Sequence, residues 1–140
     1  MPRRFEIGWS DFDVVITVDL LDDENPELCE EFWQGLPFQT IFAGSMSAGE
    51  MLKIPVPFPM NLAPKEKLVF FPEQPIGVVV SMGWGGLLLK YGTVVEPFMM
   101  ARVAMVPEEE LDKLRNVAIK LRDAYFYTKE INVATLKRKE

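Results

Sequence analysis

The feature that most constrains this chain is a succession of short apolar runs, each cut off by glycine or proline before it reaches helical length. Between Phe38 and Met105 these runs are FQTIFAG, EMLKI, KLVFF, IGVVVSM, LLLKY and FMMARVAM. Runs of four to eight residues rich in β-branched and aromatic side chains, bounded by turn residues, are strands. PVPFPMNLAP, Pro55 to Pro64, carries four prolines. Proline donates no ladder hydrogen bond, so this stretch reads as an extended surface loop. FEIGW and VVITVDL add two strands around the turn SDFD. In the second of them Val14, Ile16, Val18 and Leu20 share one face. Eight or so strands with one helix after the second predict a small closed barrel.

That helix is predicted from Asn25 to Gln34. Asn25 suits the N-cap, Pro26 the first helical position, and Glu27 the positive helix end. Leu28, Cys29, Phe32, Trp33 and Leu36 form its apolar stripe, and Gly35 with Pro37 stops it. Cys29 on that stripe reads as a packed thiol. A second helix is predicted from Pro107 onward. Leu111, Leu114, Ala118, Leu121, Tyr125 and Thr128 recur at alternating three- and four-residue spacings, widened by Val117 and Ala124. A closed barrel offers little room for that stripe, so a homodimer or higher oligomer through this helix is expected. Residues 1–106 are thus read as the barrel and 107–140 as a helix and tail packed on it or on a partner subunit. INVATL is a candidate final strand, and LKRKE a solvated basic end.

The chain of 140 residues, 49% hydrophobic and 26% charged, fits one domain with a real core. Its net charge of −6 argues against a nucleic-acid surface. No apolar stretch reaches the roughly 18 residues of a membrane span. MPRRFEIGWSDF lacks the apolar core of a secretory signal. One cysteine makes no internal disulfide, which fits the cytoplasm. There is no histidine, so Ser-His-Asp and Cys-His nucleophile systems are excluded, as are most zinc and non-haem iron sites. No metal or cofactor is expected. Acid–base chemistry must come from Asp, Glu, Lys, Tyr or the substrate.

FAGSMSAGEML, Phe42 to Leu52, gathers small residues that let a ligand or another backbone come close. Glu50 in it reads either as a general acid–base carboxylate or as an exposed edge charge. Ser45 and Ser47 either bind a substrate carboxylate or satisfy their own turn. In MGWGGLLLKYG, Trp84 is a pocket wall or barrel-end core, and Tyr91 a hydrogen-bonding wall or proton-transfer partner of Glu50. Lys53 and Lys90 are the barrel's candidate ligands for an anionic substrate.

The order strand, DLLDDENPELCEEFWQGLP, strand, glycine-rich turn, strand resembles the start of a cyclophilin. Leu36-Pro37-Phe38, Gly49-Glu50, Phe70-Phe71-Pro72 and Tyr91-Gly92, in that order, are similar to the small bacterial and archaeal cyclophilin-like proteins, over Phe5 to Met105. This implies a mainly β fold, a small closed cyclophilin-like barrel. Cyclophilins hold the proline amide with an arginine on the strand entering this loop, where Phe42-Ala43-Gly44 stands here. No arginine occurs between Arg4 and Arg102, so prolyl isomerisation is not expected. The added C-terminal helix resembles that of the cucumopine (mikimopine) synthases. That likeness implies condensation of an amino acid such as histidine with a 2-oxo acid through an imine, then Pictet–Spengler-type ring closure. The alternative is a non-catalytic, oligomeric small-ligand-binding protein.

Overall fold

The computed structural model describes residues 2–45, 47–60, 67–82 and 86–140. Its chain runs β1 (Arg4–Trp9), β2 (Val14–Leu20), α1 (Pro26–Gln34), β3 (Phe38–Ile41), β4 (Ala43–Gly44), β5 (Gly49–Pro55), β6 (Leu68–Phe70), β7 (Val78–Ser81), β8 (Gly86–Val94), β9 (Met99–Met105), α2 (Leu111–Tyr127) and β10 (Val133–Arg138). The strands form one antiparallel sheet in the order β3-β10-β1-β2-β9-β7-β8-β5-β4, with β6 on β9. The fold is therefore mainly β with two helices. The expected closed barrel is not what the pairing shows. Among the described residues the ladder has two ends, β3 and β4, although only Phe42 separates them in sequence. FQTIFAG is accordingly two strands and not one. At the break Phe42 is buried, its ring edge-on to Trp9 at 5.3 Å.

The alternation read in β2 holds: Ile16, Val18 and Leu20 are buried, with Val15 exposed. The main apolar cluster takes its members from β1, β2, β3, β5, β7, β8, β9, β10, α1 and α2. A second cluster, around Phe71, Val78, Val80, Leu88 and Met100, lies on the opposite face of β7, β8 and β9. β8 is thus buried on both faces.

α1 starts and stops where proline and Gly35 predict. Asn25 stands at its N-cap position but does not cap it. Its amide instead donates to the Arg102 carbonyl at 3.0 Å, tying α1 to β9. The Cys29 thiol donates to the Val103 carbonyl at 3.3 Å, and burial pushes its pKa up to about 12. Trp33 has the guanidiniums of both Arg3 and Arg138 4.9 Å from its ring.

A single 3-10 turn, Glu108–Glu110, precedes α2. Glu110 accepts from the Thr17 N–H and pairs with Lys113, anchoring the helix start to the edge of β2. The α2 stripe is buried in this chain's own core through Leu114, Val117, Ala118, Leu121 and Ala124. The expectation that a barrel could not cover that stripe is corrected, and the stripe by itself no longer calls for a second subunit. Tyr125, expected on the stripe, is half exposed. β10 enters the sheet between β1 and β3. The backbone of Leu136–Arg138, expected in a solvated tail, is therefore paired. Of the proline-rich loop, Asn61–Pro64 lies outside the described residues. No helix among those described is long and apolar enough to cross a membrane.

Candidate active site

Glu50, the second residue of β5, lies opposite an irregularity in β8. Gly49 pairs with Val94 and Met51 with Lys90, so Tyr91, Gly92 and Thr93 face the single residue Glu50. Such bulges interrupt the ladder and re-aim side chains. Here the bulge presents the Thr93 N–H to Glu50 Oε1 at 3.1 Å. Gly92 lets the carboxylate lie flat on the strand, since a Cβ there would come within 2.7 Å of Glu50 Cβ. Gly49 has φ +112°, and a Cβ on it would sit 2.9 Å from Val94 Cα. FAGSMSAGEML is thus small for backbone reasons at Gly49 and for helix packing at Gly44. A Cβ at Gly44 would meet the rings of Tyr125 and Phe126 at 3.4 Å.

The cations of the site come from α2. Arg115 Nη2 donates to Glu50 Oε2 at 3.3 Å, and its Nη1 donates to the Tyr91 carbonyl at 3.1 Å. Arg122, two turns further on, pairs with Asp123 at 3.2 Å, and its charge acts on the Tyr91 phenol. The Tyr91 side chain is buried. Burial pushes its phenol above the ordinary tyrosine value, Arg122 and Arg115 pull it back, and Glu50 adds to the rise. Glu50, Arg115 and Arg122 keep side-chain exposures of 32%, 49% and 36%. The cluster is two carboxylates, Glu50 and Asp123, with two guanidiniums and a buried phenol at the solvent edge of the α2 packing. Such a cluster can hold carboxylates and move one proton.

Glu50 and Tyr91 are therefore brought together across the bulge. Lys53 and Lys90 are not part of this cluster. Leu52, Ile54, Leu89 and Tyr91 face the main core, and Met51 and Leu88 face the second cluster. Strand alternation then puts Lys53 and Lys90 on the face away from Tyr91. Lys53 is exposed there. Lys90 is buried, which lowers its pKa, and its ammonium donates to the carbonyls of Pro72 and Gln74 at 3.0 and 2.6 Å. The expectation that these lysines balance charge at Glu50 is corrected: the sheet lies between. Ser45 Oγ accepts from the Ala48 N–H at 3.1 Å and so serves its own turn. Ser47 is exposed. Trp84 lies outside the described residues.

Sequence reasoning missed Arg115 and Arg122. The available signal was their seven-residue spacing, which puts both on one helix face beside the apolar stripe. Among the described residues no group of three or more Cys, Asp or Glu side chains could hold a metal ion.

The chain is similar to the solved structure of McbB in complex with tryptophan. The two share 28% sequence identity and superpose with a TM-score of 0.90 over 96% of this chain and 44% of that chain. The chain thus spans less than half the length of McbB. No protein-family model and no curated protein matches it.

Proposed function

We propose that this chain is a small-molecule condensing enzyme on a cyclophilin-like barrel, with Glu50 as its proton-transfer group. It joins an amino acid bearing a nucleophilic ring, such as tryptophan or histidine, to a 2-oxo acid. The observation that carries this reading is the Glu50 carboxylate itself, oriented by the Thr93 N–H and Arg115 on the β8 bulge, with Arg122 and Tyr91 beside it. Support comes from the likeness to a fold that binds tryptophan in McbB. The absence of histidine requires any protein base to be of another type.

In this proposal the substrate amine attacks the oxo carbon, water leaves, and a protonated imine forms. The ring's π pair then makes a C–C bond to the imine carbon while the C=N pair moves to nitrogen. The ring proton at the new bond passes to Glu50 and aromaticity returns. One water is released, and nothing is oxidised or reduced. Arg115 and Arg122 hold the reactants' carboxylates, which brings the reacting atoms together without a nucleophilic side chain. Tyr91 acts as a positioning residue through Arg122.

The test is incubation with tryptophan or histidine plus pyruvate or 2-oxoglutarate, read by mass spectrometry for the summed mass less one water. Glu50→Gln keeps the shape and removes the titrating group. It should abolish product while leaving reactant binding within about threefold, a range set by the small worth of exposed ion pairs. Saturable binding with no product from either protein would favour the non-catalytic binding protein.

A further inference from the structure

A cleft of about 410 Å3 lies on the outer face of the β10-β1-β2 hairpin array, away from Glu50. Its floor is Gly8, flanked across the strands by Thr135 on β10 and Val15 on β2. A glycine inside a strand marks a bulge, a special backbone angle or a close approach by something else. The register runs unbroken through Gly8 on both sides, so there is no bulge. Gly8 is not among the positive-φ glycines. A Cβ there would meet only Val15 Cγ2 at 3.6 Å and the Val14 carbonyl at 3.9 Å, which is ordinary contact. The chain therefore leaves this floor bare although its own packing would accept a side chain.

The ends of the cleft differ in charge. At one end Lys137 and Lys139 approach the single Glu6 carboxylate at 3.9 and 3.5 Å, leaving one positive charge in excess. At the other end are Ser10 and Asp13. Thr135 Oγ1 accepts from Gln39, so its hydroxyl hydrogen remains available to donate. Three strands span about 10 Å, the length of a ring plus a carboxylate. We infer that this cleft binds a small aromatic monocarboxylate, its ring flat on Gly8 against Val15 and its carboxylate at Thr135 and Lys137. A second negative group would be repelled by Asp13. This site is independent of the reaction at Glu50.

Calorimetric titration with indole-3-acetate tests the inference, alongside indole-3-acetamide. Wild type should bind the acid saturably and the amide at least tenfold more weakly. Gly8→Val should keep or raise the melting temperature and lose at least tenfold in affinity. Lys137→Gln should lose a similar factor, and Glu50→Gln none. Should Gly8→Val fail to fold, the exposed Lys137→Gln carries the test. No saturable binding, equal binding of acid and amide, or affinity unchanged in Lys137→Gln would overturn the site. Loss on Glu50→Gln would mean that the ligand occupies the other cluster, and would overturn it too.

Discussion

Gly92→Ala and Gly49→Ala sit on either side of Glu50, and the structure predicts different outcomes for them. At Gly92 the new Cβ would fall on the Glu50 side chain: its carboxylate, on a side chain with 32% exposure, can swing away, but Glu50 Cβ, 2.7 Å off, is fixed to β5, so the bulge must shift as well. The carboxylate swings out and loses the Thr93 N–H and Arg115. For groups this open to water that loss is about 1 kcal/mol, and with the shift of the bulge about 2 kcal/mol is expected. At Gly49 the new Cβ would meet backbone, Val94 Cα at 2.9 Å and the Thr93 carbonyl carbon at 3.2 Å, on a residue with φ +112°. Left-handed strain is worth about 1–3 kcal/mol, and the ladder must also open, so about 3 kcal/mol is expected. Unfolding entropy near 2.1 cal/mol/K per residue gives about 0.3 kcal/mol/K for 140 residues. The expected drops in Tm are thus about 7 °C for Gly92→Ala and about 10 °C for Gly49→Ala. Gly92→Ala should nonetheless lower condensation about 10²-fold, because displacement of a reacting group by an ångström or so costs that much. Calorimetry and the mass assay read the two effects separately. A loss in Gly92→Ala well beyond that of Gly49→Ala would show that Glu50 is locked structurally, and full activity would remove it from the chemistry.

Three further outcomes are expected. Lys90→Met strips the donors from two carbonyls at a buried position and should cost about 2 kcal/mol, seen in urea unfolding, with product formation by the remaining folded protein unchanged. The Tyr91 phenol has a folded pKa above its unfolded value of 10.0. Its contribution is therefore full below pH 10 and lost as pH rises through the folded pKa; Tyr91→Phe should flatten that alkaline decline in melts taken from pH 9 to 11.5. Cys29 is buried with a thiol pushed up to about 12, so a disulfide reagent at pH 8 should react only on unfolding, and fast labelling of native protein would contradict the packing of α1.

Local pattern determined much of this molecule. The two-residue alternation of Val14–Leu20 decided which side chains are buried, and Pro26 set the start of α1 by its own backbone limits. The three- and four-residue recurrence of α2 required a buried face, and the lack of histidine restricted the chemistry. None of these needs a distant partner. What the sequence could not decide depended on which distant groups meet. It denied the Phe42–Leu52 stretch a guanidinium because none is near in sequence, whereas α2, more than sixty positions on, delivers Arg115 to Glu50. It offered Lys53 and Lys90 instead, but strand alternation sends them to the face away from Tyr91. Asn25 looked like a cap and became a tether, because Arg102 of β9 presents a carbonyl that no local rule contains. The α2 stripe fixed that a face is buried, but only the packing fixed that this chain's own sheet buries it. Periodicity is a property of neighbours two to four residues apart in the chain. The aim of a carboxylate across a bulge is a property of the whole sheet and the helix laid on it.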